Sequence, residues 1–424
     1  MEIQVCFLPN LGRYKVRKRI LLLMSKISSL IVVVFALVSA CMAGGREKTL
    51  YTFPGGSRGD DPESGVVSDR DGNLYGMTYS GGAYGWGTVF ELKHSRGWKQ
   101  EVIYNFQGGG DGLNPTGTLL IDDAGNLYGT TLYGGTGTGC PPGANGCGGT
   151  AFELKPTGAG WSHSVLYSFC SANACGDGAG PSGLTLDKAG NLYGVTASGG
   201  TGCPTDGCGT VYQMTPSNGG WTQTVLYYFD QNKGGGFFPA PIVTLDERGN
   251  LYGTTYVGGA NNFGDVFELK HTNKSWTELV LYSFTGGEGG ANGGLTLWGT
   301  DVIFGTSQYG DSSGGIFELR RSRRGKWSEK ILYSGNGPNP QLIFDGTGAL
   351  YGTSFFGGAE GNGYAFRLQH KKRWRMEVLH DFAGGRDGAN PAAGLMLGAD
   401  GNLYGTTSSS YDSQYRGTVF QIIP

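Results

Sequence analysis

Short apolar runs closed by Asp, Asn or Gly recur along the chain in a fixed order. The first run, of the type Leu-Thr-Leu, ends at an Asp six residues before an aromatic: Asp69, Asp122, Asp187, Asp246 and Asp345 hold this place. A glycine follows three residues later (Gly72, Gly125, Gly190, Gly249, Gly348, and Gly401 in the last copy). The resulting Asp-x-x-Gly-Asn predicts a tight hairpin turn. A second strand, Asn-Leu-Tyr-Gly-Thr-Thr or a variant, leads in five copies to a glycine pair starting at Gly81, Gly134, Gly199, Gly258 and Gly357. A third, Gly-Thr-Val-Phe-Glu-Leu or a variant, carries Phe90, Phe152, Tyr212, Phe267, Phe317, Phe366 and Phe420.

The fourth run, of the type Val-Leu-Tyr-Ser-Phe, has a tryptophan six residues before its central aromatic. The pairs are Trp98 and Tyr104, Trp161 and Tyr167, Trp221 and Tyr227, Trp276 and Tyr282, and Trp327 and Tyr333, with Trp374 and His380 in the sixth copy. An even spacing predicts both side chains on one face of the strand. The fixed link to a strand aromatic predicts packing between units rather than sugar stacking for the tryptophans.

Anchored on the second-strand aromatic, the copies sit at Tyr75, Tyr128, Tyr193, Tyr252, Phe304, Tyr351 and Tyr404, at intervals of 53, 65, 59, 52, 47 and 53. Units of this length fit four-stranded propeller blades with generous loops. After the final third strand, Gly-Thr-Val-Phe-Gln-Ile-Ile, no fourth follows, whereas Lys48 to Phe53 is a fourth strand with no predecessor. The expected fold is therefore all-β, a seven-bladed β-propeller of four-stranded blades, closed by the N-terminal strand completing the last blade. Closure removes the open edges of an unfinished array.

Composition narrows the function. Glycine (81 of 424) lacks the three-residue period of collagen, and 12% aromatics supply enough apolar area to exclude disorder. With 32 basic and 34 acidic residues the net charge is -2, which argues against a nucleic-acid partner.

Arg13, Lys15, Arg17, Lys18 and Arg19 precede the uncharged stretch Ile31 to Ala40, too short for a membrane span and suited to an export signal. Residues 1–43 are read as this leader, starting at Met1 or, more compactly, at Met24, and residues 47–424 as the propeller. Val38-Ser39-Ala40-Cys41 resembles a bacterial lipobox, with Cys41 the lipidated residue; the other reading is ordinary cleavage after Ala40 or Ala43. Either places the mature chain outside the cytoplasm, as a periplasmic, envelope-anchored or secreted protein. Its contact with a membrane would be limited to that N-terminal lipid.

The repeat D-x-x-G-N-L-Y-G-T-T…G-G…G-T-V-F-E-L, over residues 47–424, resembles the Gloeo/Verruco ("GloVer") tandem repeat of exported bacterial proteins with varied surface anchors. Unit five departs most, because Trp298-Gly-Thr-Asp-Val-Ile-Phe lacks the usual Asp and Asn. The blade pattern is also similar to NHL and gluconolactonase-type propellers. The resemblance implies export and a propeller, and it implies no reaction.

If the strands are lettered a to d from the axis outward, the d–a and b–c loops share one face. That face carries the glycine pairs and insertions, so ligand binding is expected there. Six cysteines lie in the folded part, and proximity favours Cys140–Cys147, Cys170–Cys175 and Cys203–Cys208 among 15 pairings. An exported protein favours disulfides over zinc at these positions. The d–a loops repeat an acid and amide pattern: Asp60, Asp61, Asp111, Asn114, Asp177, Asp387 and Asn390. These are the candidate ligand-face residues, with calcium as one reading and turn chemistry as the favoured one. None of the five histidines falls on the loop face, so no catalytic residue, resident metal or cofactor is expected. The reading that results is a monomeric, non-catalytic binding or surface-interaction module for a protein or carbohydrate ligand. A lyase or glycoside hydrolase at the axial end of the loop face, and a structural envelope protein, are the alternatives.

Overall fold

The computed structural model describes residues 45–138, 148–203, 207–272, 275–286, 290–291, 293–309, 313–335, 338–339, 341–408 and 416–424. The leader 1–43 with Cys41, and the pair Cys140 and Cys147, lie outside the described residues. No helix among the described residues is long and apolar enough to cross a membrane.

Seven antiparallel sheets follow one another as the blades of a β-propeller. Blade 1 runs Val67–Ser68, Leu74–Thr78, Thr88–Ser95 and Gly97–Asn105. Its a–b turn forms as the Asp-x-x-Gly-Asn pattern requires: Gly72 has φ 81°, and its N–H donates to the Asp69 carbonyl at 3.3 Å. In blade 4 the innermost strand is split into Gly236–Pro239 and Thr244–Leu245, and in blade 5 into Gly290–Ala291 and Thr296–Trp298. Pro241, which has no N–H to give, lies in the break of blade 4, and Gly117 and Gly183 lie at irregularities of the corresponding ladders in blades 2 and 3.

Blade 7 combines Met396–Leu397, Leu403–Thr407 and Thr418–Ile423 with the N-terminal strand Arg46–Thr52. Thr49 lies opposite Phe420, and Thr52 opposite Thr418. The ring is closed as the repeat count requires.

The core is divided among the seams between blades. The blade 7–1 seam gathers Leu50, Phe53, Val419 and Tyr404 against Val66, Leu74, Phe90 and Leu92. The second-strand glycine belongs to this packing. A Cβ on Gly76 would meet Phe90 Cζ at 2.5 Å, so the ring of the third strand lies over bare backbone.

The tryptophan–tyrosine expectation needs one correction. In blade 1 Phe90 pairs with Val102 but Val89 pairs with Tyr104, so Ile103 is an extra, bulged residue. The bulge reverses the alternation between Trp98 and Tyr104. Trp98 packs toward blade 7 and Tyr104 toward blade 2. The same shift occurs in blades 2 to 6. The tryptophans do pack between blades: Trp161 meets Tyr75 edge-on at 5.8 Å, and Trp221 meets Tyr128 at 6.0 Å.

Candidate functional site

The most frequent polar motif is consumed by the fold. Asp69 Oδ1 accepts from the N–H groups of Asp71 and Asn73, and its Oδ2 from Asn73 Nδ2 and the Tyr75 phenol. Tyr75 also donates to Glu91 Oε1 at 3.1 Å. Burial, then the neighbouring Glu91 and Asp69 carboxylates, push the phenol far above its ordinary pKa, so it stays a donor. Asp122, Asp187, Asp246 and Asp345 build the same turn.

Inner segments of six blades converge on a pocket of ≈ 230 Å³ at the axis. Its wall is mostly small and neutral, including Thr116, Gly117, Ser182, Gly183 and Ala393, and among the described residues Glu63 is its one carboxylate. Glu63 is open to solvent yet surrounded by protein. Burial, and secondly the charge of Asp61, raise its pKa above the usual carboxylate range. Ser64 is occupied structurally, donating to the Met77 carbonyl and accepting from its N–H.

The d–a acids and amides fasten neighbouring blades. Asp111 Oδ1 accepts from the Tyr104 phenol at 2.6 Å, and Asp177 Oδ2 from the Tyr167 phenol at 2.7 Å. Asn114 Nδ2 donates to the Tyr79 carbonyl and Asn390 Nδ2 to the Phe355 carbonyl, each at 3.0 Å. Asp60 Oδ2 lies 3.5 Å from Arg416 Nη1, while the Asp61 carbonyl accepts from the Tyr79 N–H. Asp387 accepts from the Ala383 N–H and meets His380.

Two histidines depart from the sequence expectation and reach these d–a acids. His163 Nδ1 lies 3.4 Å from Asp111 Oδ1 while its ring stacks on Tyr104 at 4.1 Å. His380 Nε2 lies 2.9 Å from Asp387 Oδ1. Adjacent blades twist, so His163 near the start of one outer strand meets Tyr104 near the end of its neighbour's, whereas His380 and Asp387 are only seven residues apart in the chain. Burial holds His163 below the usual histidine pKa, against the pull of Asp111.

Cys170–Cys175 and Cys203–Cys208 are disulfide-bonded, each within one loop. The two lie side by side, since the Gly200 N–H donates to the Cys175 carbonyl at 2.9 Å.

Exposed aromatics concentrate on the loop face. Tyr84, Trp86, Tyr133, Phe238, Tyr256 and Phe263 all belong to b–c or d–a segments or the strand ends beside them. Trp86 and Phe263 are held over glycines: a Cβ on Gly108 would meet Trp86 Nε1 at 3.1 Å, and one on Gly286 would strike the Phe263 ring. Phe238 has φ 56°, at a pre-proline position filled in other blades by Asp61, Asn114, Gly180 and Asn390. A bulky residue in that left-handed region is strained, and strain of this kind collects at functional sites.

The profile of the Gloeobacter/Verrucomicrobia repeat matches residues 33–201 and 131–317. The chain belongs to this repeat family. No curated protein matches it in sequence. Among solved structures, this repeat protein is similar to a luciferin-regenerating enzyme at 13% identity and TM-score 0.44, covering 73% of this chain and 91% of the other. It is also similar to a protein of unknown function from Dyadobacter fermentans at 11% identity and TM-score 0.46, covering 90% and 100%.

Within the repeat protein, unit five breaks the polar turn. Trp298 replaces the turn Asp and Phe304 the tyrosine, and Trp298 packs edge-on against Phe344 at 4.4 Å. Glu318, left without a phenol, pairs with Arg320 Nε at 2.6 Å. A cleft of ≈ 570 Å³ opens here, walled also by Lys330, His370 and Trp374. The missing Asp and Asn announced the departure in sequence. The loop-face aromatics carried no such signal, because no fixed spacing links them.

Proposed function

We propose that the protein is an exported, non-catalytic recognition module that binds a neutral glycan through the aromatic loop face of its propeller. One observation carries this reading: exposed aromatic rings gather on that face, and Trp86 and Phe263 are fixed in place by the glycines beneath them. Rigid aromatic platforms give up little conformational freedom on binding. Export rests on the leader 1–43 ahead of the propeller 47–424, and on two disulfides, which persist in oxidising compartments. The test is electrophoresis of the wild type and a W86A/F263A variant through gels containing neutral polysaccharides. Retardation of the wild type and its loss in the variant are expected. Equal mobility of the two in every gel overturns the reading. Intact mass of the exported chain checks the leader, and retention of residues 1–23 would refute it.

An extracytoplasmic lyase or glycoside hydrolase is the rival, and Glu63 at the axis favours it. Acid–base hydrolysis generally uses a second carboxyl group, and the described wall of the axial pocket offers none. Turnover of a glycan that is abolished by E63Q would establish the rival.

A further inference from the structure

At four seams one position near the end of an outer strand meets the next blade's outer strand near its start, as Tyr51 meets Gln100 and Tyr104 meets His163. Six blades place tyrosine there: Tyr51, Tyr104, Tyr167, Tyr227, Tyr282 and Tyr333. Tyr227 donates to Glu278 at 2.7 Å and Tyr282 to Glu329 at 3.0 Å, one phenol to one carboxylate. The blade 6–7 seam differs. His380 replaces the tyrosine, Glu47 comes from the N-terminal strand, and Asp387 comes from the connection between the blades. One ligand atom from each of the three lies within 4.8 Å of the others, and all three residues are half-buried.

We propose that Glu47, His380 and Asp387 bind a divalent transition-metal cation of the zinc class, which ties the closing strand to blade 6. His380 Nε2 lies 2.9 and 3.1 Å from the two Asp387 oxygens. Two ligands on a tetrahedral zinc sit about 3.3 Å apart, so little movement is needed to admit the ion. An imidazole with two carboxylates leaves one position for solvent and neutralises a dication. The nitrogen ligand selects zinc, cobalt or nickel over calcium, which takes oxygen ligands in larger number.

The two carboxylate ligands are also held by hydrogen bonds, as bound metals require. Thr49 Oγ1 donates to Glu47 Oε1 at 3.1 Å, and the Ala383 N–H donates to Asp387 Oδ2 at 2.6 Å. The His380 ring rests edge-on against Phe382 at 4.8 Å. The seam is therefore a built site at the place where the ring shuts. It is distinct from the loop-face aromatics and independent of the glycan reading.

The test uses the untagged full propeller chain, stripped with EDTA and titrated with Zn2+ by calorimetry and in thermal melts. The variants are H380Y, which installs the residue of the other six seams, and E47Q. One Zn2+ per chain and a raised melting temperature are expected for the wild type. Affinity should fall by about tenfold or more in each variant. Both variants should melt near the wild type in EDTA, and E47Q alone carries the comparison if H380Y fails to fold. Absence of Zn2+ uptake, equal uptake by wild type and E47Q, or an equal response to Ca2+ overturns the proposal.

Discussion

The backbone N–H of Phe53 donates to the carbonyl of Gly417 at 2.9 Å, joining residues that nearly the whole chain separates. The Phe53 ring is fully buried in the blade 7–1 seam, edge-on to Phe90 at 5.1 Å. Replacing Phe53 by Ala should cost about 3–5 kcal/mol, measured by urea denaturation. Moving residues 46–53 to the C-terminus by circular permutation should keep the fold, because strand d of blade 7 would still be supplied. A permuted chain that fails to fold would show that pairing alone does not close the ring.

Asp187 gives a pH dependence with a defined sign. Burial works to raise its pKa, but bonds from the side chain and backbone of Asn191, the Ala189 N–H and the Tyr193 phenol outweigh it and leave it lowered. A folded-state pKa below the unfolded value of about 3.9 contributes stability that is complete above that value. It is lost as pH falls through the folded pKa. The stability gap between wild type and D187N should be constant near neutrality and close in strong acid. A gap that widens on acidification would contradict the sign.

Tyr212 is fully buried, and its hydroxyl has no partner among the described residues. Six other units place phenylalanine there. Tyr212→Phe should therefore stabilise the protein by about 1 kcal/mol, since a stranded buried hydroxyl costs about that much. Equilibrium denaturation of the pair decides it, and a destabilised variant would reveal a bond to that oxygen.

Reducing Cys170–Cys175 and Cys203–Cys208 should lower stability by about 2 kcal/mol each at most, because each closes only a short loop. Non-reducing peptide mapping tests the pairing, and melting with and without reductant tests the magnitude. Complete unfolding on reduction would mean that these loops hold the blades themselves.

Most of the architecture was legible because it is repeated. Asp69, Gly72 and Tyr75 recur at fixed spacing, and spacing along a strand is what a repeat preserves. The face of Tyr104 was not legible, since the bulge at Ile103 changes parity without changing the residue types. Contacts across seams were equally hidden. His163 stacks on Tyr104 of the preceding blade, and His380 and Glu47 lie at opposite ends of the chain. The structural role of the d–a acids and amides was half legible. The pattern marked Asp111, Asn114, Asp177 and Asn390 as special positions, but their partners are tyrosines and carbonyls of the adjoining blades.

The pairing of Arg46–Thr52 with Thr418–Ile423 sets an order of events. A chain made from its N-terminus displays its first strand long before the partner exists. Throughout synthesis that strand is a bare edge, able to pair with the unfinished seventh blade of another copy. Arg46, Glu47 and Lys48 place charge on the segment during this interval. The same joint that seals the finished ring is thus the natural point for two rings to exchange strands.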